Sequence, residues 1–180
     1  MRIRRLTAAA LTGAALASAA APAFATAPVP PALARKNLKA DLLRSPKVSA
    51  STKQVLRGPG GAYGGIDTAG ISYGDLTGDG RADVVVPIYS GGTAGDIAYY
   101  VLALINGHVT VIRAVNDTYN VGVKISAHKL VVITPDYLAA DPNCCPSFLV
   151  TTTFAWNGKK LVQVGTSTRK PTNPPTQPTR

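Results

Sequence analysis

Two Asn-Gly pairs, Asn106-Gly107 and Asn157-Gly158, each stand between runs of β-branched, aromatic and other apolar residues. A two-residue hairpin turn of type I′ needs positive φ at both central positions, and Asn followed by Gly supplies it at least cost. Each pair therefore commits the chain on either side to antiparallel pairing. The first joins Ile97–Ile105 to Val109–Val115, and the second joins Phe148–Trp156 to Lys159–Val164. A further hairpin is expected about Ala127-His128, between Val121–Ile125 and Leu130–Thr134. Ile71–Tyr73 and Ala82–Tyr89 read as two more strands, with Pro87 pointing to an edge or a bulge because it cannot donate to a ladder. One helix is expected, over Leu33–Arg44. There Leu38, Leu42 and Leu43 share a side and Ser45-Pro46 stops the run. The expected fold is mainly β: an antiparallel meander, small sandwich or half-barrel with a short N-terminal helix.

The ends differ from this middle. Arg2, Arg4 and Arg5 precede an uncharged Ala- and Leu-rich stretch, Leu6 to Ala21, and then Ala23-Phe24-Ala25 and Ala25-Thr26-Ala27. Charge, then apolar core, then small residues is the order of a secretory signal. Residues 1–25 are accordingly expected to be a signal peptide, cleaved near Ala25 or Ala27, leaving a secreted or extracytoplasmic chain without a spanning segment. Residues 26–57 read as a basic arm with a short helix, 58–165 as the β domain, and 166–180 as a disordered Pro/Thr/Lys-rich tail. Residues 26–60 hold seven basic side chains against Asp41, a net of +6, whereas residues 61–164 hold six basic and eight acidic, a net of −2. Basic flanks on a mildly acidic domain suit loose attraction to an anionic cell-envelope surface, or simply a solvated arm. They do not suit nucleic acid, which would call for a basic stripe on the fold itself.

The sharpest chemical signal is Asp75-Leu76-Thr77-Gly78-Asp79-Gly80-Arg81-Ala82-Asp83. It places oxygen donors at alternate positions: Asp75, Thr77, Asp79, the Arg81 carbonyl and Asp83. Gly80 stands where such loops turn sharply around a hard cation. Val86 stands where a helix–loop–helix site would have its bidentate Glu, so a strand–loop–strand calcium site is expected. Neutral Thr77 should weaken it, to millimolar-range affinity. The competing reading is an Asp/Gly turn that holds no ion.

From Gly74 to Val86 the chain resembles one calcium loop of the FG-GAP/VCBS repeats. Those occur in several copies and this chain has one, so a propeller is not implied. Over about residues 55–164 it is also similar to small secreted bacterial proteins and lipoproteins akin to the LppP/LprE lipoproteins. Gly91-Gly92-Thr93-Ala94-Gly95, Tyr99-Tyr100 and Asp141 to Pro146 carry that resemblance. It implies a domain type and a location, without an activity.

Cys144 and Cys145 are adjacent. Their α-carbons must lie about 3.8 Å apart across a trans peptide, closer than an ordinary disulfide prefers. A vicinal disulfide in the loop 136–147 is expected. Two reduced, buried Cys are the alternative, and intermolecular pairing is a third outcome. Every acidic side chain is Asp, so Glu-based zinc and acid–base motifs are excluded, and no Gly-x-Ser-x-Gly elbow occurs. The Gly-rich run Gly58 to Gly65 lacks the Lys and Ser/Thr of a phosphate loop. The functional expectation is an exported, non-enzymatic β domain stabilised by a calcium-type loop, an envelope-associated or extracellular binding module. The alternative is a secreted hydrolase using His108 or His128 with a Ser and an Asp.

Overall fold

The computed structural model describes residues 26–172. The signal peptide expected at residues 1–25 lies outside them, as does most of the expected tail. The chain is mainly β, in two antiparallel sheets. The first has β1 (Gly65–Ile66), β2 (Ser72–Gly74), β3 (Asp83–Tyr89), β4 (Asp96–Ile105) and β5 (His108–Val115), with β1 and β2 both on the same side of β3. The second is a meander of β6 (Gly122–Ser126), β7 (Lys129–Asp136), β8 (Phe148–Trp156) and β9 (Leu161–Arg169).

Three layers result. Val84, Val86 and Ile88 of β3 and Ala98, Tyr100 and Leu102 of β4 face one way, toward the helices. Val85 of β3 and Tyr99 and Val101 of β4 face the second sheet, meeting Val121, Ile125, Leu130 and Val132. Because β3 and β4 are covered on both faces, they read in sequence as unbroken apolar runs without alternation.

The expected basic arm packs on one face of the first sheet as a layer. After a 3-10 turn at Pro31–Leu33, α1 runs over Arg35–Arg44 and a second helix, α2, over Ala50–Arg57. Leu33, Leu38, Leu42, Val48 and Leu56 are buried in the same core as β3 and β4. The Ser49 hydroxyl caps α2 by accepting the Thr52 N–H at 3.1 Å. On the face toward the helices, the Tyr100 hydroxyl bonds Thr52 and Asn116, so the layer is also held by polar contacts.

Pro87 is on neither an edge nor a free strand. The Pro87 carbonyl accepts the Asp67 N–H at 3.0 Å, so its ring nitrogen faces the same side, where the neighbouring chain breaks between β1 and β2. No ladder bond is lost there, and a register shift follows at Ile88/Tyr89. Asn106 and Gly107 adopt the expected left-handed pair, as do Ala127 and His128. The Asn157-Gly158 connection is longer than expected. The Asn157 side chain accepts the N–H groups of Lys159 and Lys160, and pairing resumes at Trp156 opposite Leu161. Strand β9 also continues past Gly165, to Arg169 opposite Leu149, into the segment expected to be disordered.

Candidate ion-binding loop at the seam between the sheets

The sheets meet along β2 and β6. The Ser72 hydroxyl accepts the Ile125 N–H at 3.1 Å, and a β-carbon on Gly74 would stand 2.6 Å from Ile125 Cγ2. Only glycine permits that approach. The loop between β2 and β3 begins at the next residue, Asp75, so it closes the end of this seam.

Its shape is set by carboxylates. Asp75 Oδ1 accepts the N–H groups of Gly78 (2.7 Å) and Asp79 (3.1 Å), and Oδ2 accepts that of Gly80 (3.0 Å). Asp83 Oδ2 accepts from Leu76 (2.9 Å) and Thr77 (2.7 Å). Two side chains thus satisfy the donors of a loop that has no ladder of its own. Leu76 is turned inward and buried with Val85 and Ile125. From the second sheet, His128 Nδ1 meets the Asp75 carbonyl at 2.6 Å and lies 4.0 Å from its carboxylate. The Ala82 N–H donates to Pro28, tying in the segment before the helices.

Asp79 is directed differently. Its Oδ2 accepts from Arg81 Nε at 3.0 Å and Nη2 at 2.7 Å, and its Oδ1 accepts the Arg81 N–H. Partial desolvation raises its pKa, but these bonds and the Arg81 charge outweigh it, and the net shift is downward. Asp83 moves the other way. Burial pushes it up, against the amide bonds from Thr77 and Leu76 and a nearby Thr77 hydroxyl that pull it down.

The donors assigned from sequence therefore lie in one loop, but among the described residues no three His, Cys, Asp or Glu side chains converge as a metal centre. Asp79 is turned to Arg81. What fits a cation is the all-oxygen donor set, with the buried Thr77 hydroxyl beside the Asp83 carboxylate but in no hydrogen bond of normal geometry. Val86, where a bidentate Glu would sit, is a fully buried strand residue.

The residues of the hydrolase alternative are not assembled. His108 opens β5 on the exposed surface and His128 bonds a backbone carbonyl. Neither ring makes a hydrogen bond to a Ser, Thr or Cys among the described residues. Cys144 and Cys145 are bonded to each other, with α-carbons 3.8 Å apart. Their loop is braced by Asp141, which accepts from the Leu138 and Ser147 N–H groups and from the Ser147 hydroxyl, and by Tyr137, whose hydroxyl donates to the Asn143 carbonyl. Tyr137 meets Tyr119 edge-on at 5.9 Å.

Those bonds, led by the Ser147 hydroxyl, hold Asp141 below its ordinary 3.8. A carboxylate with a lowered folded pKa stabilises above its unfolded value, and that contribution is lost as pH falls through the folded one. The loop 137–147 should therefore loosen only as pH falls below the ordinary 3.8. Amide exchange at Leu138 and Ser147 checks this. Acceleration on acidification is expected in the parent and not in Asp141→Asn, whose bonds no longer titrate.

Arg113 was not singled out by its sequence. Its guanidinium carbon lies 4.0 Å from the Phe154 ring centre and 5.8 Å from that of Tyr99, and Nε donates to the Tyr99 hydroxyl. The register shift after Val101 places it there, and no local pattern announces such a shift. No family model, no curated protein and no solved structure matches this chain.

Proposed function

We propose that the chain is an exported, non-enzymatic β domain that works as an envelope-associated or extracellular binding module, with the Asp75–Asp83 loop as an ion-supported fastener. One observation carries this reading: the loop stands at the junction of β2, β3 and the β6–β7 turn, where its shape fixes one sheet against the other. Asp75, Thr77, Asp79, the Arg81 carbonyl and Asp83 are the residues that would hold calcium. The ion would supply a charge that gathers these oxygens, in place of the amide bonds and the arginine that hold them now. The main obstacle is the Asp79–Arg81 pair. It is exposed, and such pairs contribute about 0–1 kcal/mol, so exchanging the guanidinium for an ion costs little.

Export is supported by the order of charge, apolar core and small residues over 1–25. Intact-mass measurement on the full chain, expressed in a secreting bacterium, tests it. A product beginning at Thr26 or Pro28 outside the cytoplasm is expected, and an uncleaved cytoplasmic chain would contradict the reading.

A further inference from the structure

Charge sorts by layer in this fold. The net +6 of residues 26–60 lies on segments that carry the helices, while residues 61–169, which form the sheets, carry −1. Arg35, Lys36, Lys39, Arg44, Lys47 and Arg57 are exposed on the outer side, and Leu38, Leu42 and Leu56 point inward. The sole acid of the layer, Asp41, is already bridged by Arg44. These charges are therefore fixed on a packed scaffold and do not trail on a loose arm.

Their placement runs against local stability. Helix α1 opens on Arg35-Lys36 with no acid in its first turn, and α2 has no acid there either. A helix N-terminus carries partial positive charge, so cations there are unfavourable. Arg35 has a local partner in the Tyr73 hydroxyl, whose pKa is raised by burial and only partly pulled back by the arginine. Arg44 and Arg57 lie in the last turns of their helices, where a cation is favoured, but Lys36 and Lys39 make no side-chain ion pair or hydrogen bond among the described residues. A locally unfavourable arrangement without internal compensation is expected where a function requires it.

The character of the face narrows the partner. Of the exposed large apolar side chains, Val29 precedes the helices and Tyr63 follows them, and none lies on the helices themselves, residues 31–57. The layer has no wedge to enter a bilayer and no ring on which a base could stack. At the end of α1, Arg44, Ser45 and Lys47 border an open cleft of about 560 Å³ whose far wall is His108 to Val111 of β5; Asp41 also lines it, its charge met by Arg44. Lys47 is held at this rim by its 2.6 Å bond to the Val111 carbonyl. Hydroxyls and cations around an open cleft suit a charged sugar unit.

We propose that the outer face of α1 and α2, with this cleft, binds an anionic polysaccharide outside the cell; the proposal rests on the export reading. Alginate, a polymer of sugar carboxylates, is the probe, presented to the chain from residue 26 onward at about 0.05 and 0.15 M salt, where screening of surface charge is strong enough to register. The variant Lys36→Ser/Lys39→Ser/Arg57→Ser should bind about tenfold more weakly, through lost charge neutralisation. The variant Lys124→Ser/Lys129→Ser/Lys159→Ser removes the same charge from the second sheet and should stay within about twofold of the parent. All six sites are exposed, and thermal melting confirms that both proteins fold. Single Lys39→Ser should give an intermediate loss. Equal loss in both triple variants would reduce the effect to net charge and overturn the site. So would an absence of alginate binding, or tighter binding to phosphatidylglycerol vesicles or duplex DNA at the same salt. Cleavage and export are read separately by mass, so an exported chain that ignores alginate refutes this proposal and leaves the export reading standing.

Discussion

Replacing Leu42 by alanine is expected to destabilise the protein by about 2–5 kcal/mol, the range for large-to-small changes in a closed core. Leu42 is fully buried, in a cluster with Leu38, Val84, Tyr100 and Leu102. Truncation removes apolar contact and leaves a cavity between helix and sheet that neither can readily collapse to fill. Domains of this size have about 5–15 kcal/mol of stability in all, so the loss is a large share. Denaturant unfolding of residues 26–180 measures it. The same change in a solvated arm would shift the midpoint hardly at all. The experiment therefore separates a basic layer built into the fold from a basic appendage.

The second large effect is expected at Asp83. Asp83→Ala removes the acceptor for the Leu76 and Thr77 N–H groups and leaves two donors beside a buried leucine. Unsatisfied buried donors cost about 1–3 kcal/mol each, and relief of the buried charge returns part of that, so a net loss of about 2–4 kcal/mol is expected. Asp83→Asn keeps a carbonyl oxygen in place and should lose less. Equal losses in the two variants would show that charge, and not acceptor geometry, is what the loop uses.

What the sequence made legible was local. Asn106-Gly107 and the runs beside it needed no distant partner to be read as a hairpin, and the spacing from Asp75 to Asp83 marked the loop. Features that depend on packing across layers were not visible. Leu38 and Leu42 were legible as the apolar side of a helix, but Val48 and Leu56, set among basic side chains, were not legible as core. Helix α2 is short, and its one clear signal is the Ser49 cap. Pro87 argues against a central strand unless one knows that the neighbouring chain breaks opposite its nitrogen. Strand β9 is exposed from Gln163 to Arg169, so it shows no apolar alternation, and it is recognisable only by its register against β8. In the loop, alternate spacing gave the donors but not their directions. That Asp79 turns to Arg81, and that His128 closes the seam from the second sheet, are tertiary facts.

Thermal melting of the chain from residue 26 onward, with and without calcium, tests most directly whether the loop is an ion-supported fastener. Binding to the folded state alone raises the melting temperature in proportion to the logarithm of ion over dissociation constant. With neutral Thr77 among the donors, the rise should emerge near millimolar calcium. It should vanish in Asp79→Ala, which removes the carboxylate that must exchange Arg81 for the ion and leaves the Asp75 and Asp83 amide bonds in place. A melting temperature unmoved by millimolar calcium, or a rise that persists undiminished in Asp79→Ala, would contradict the account.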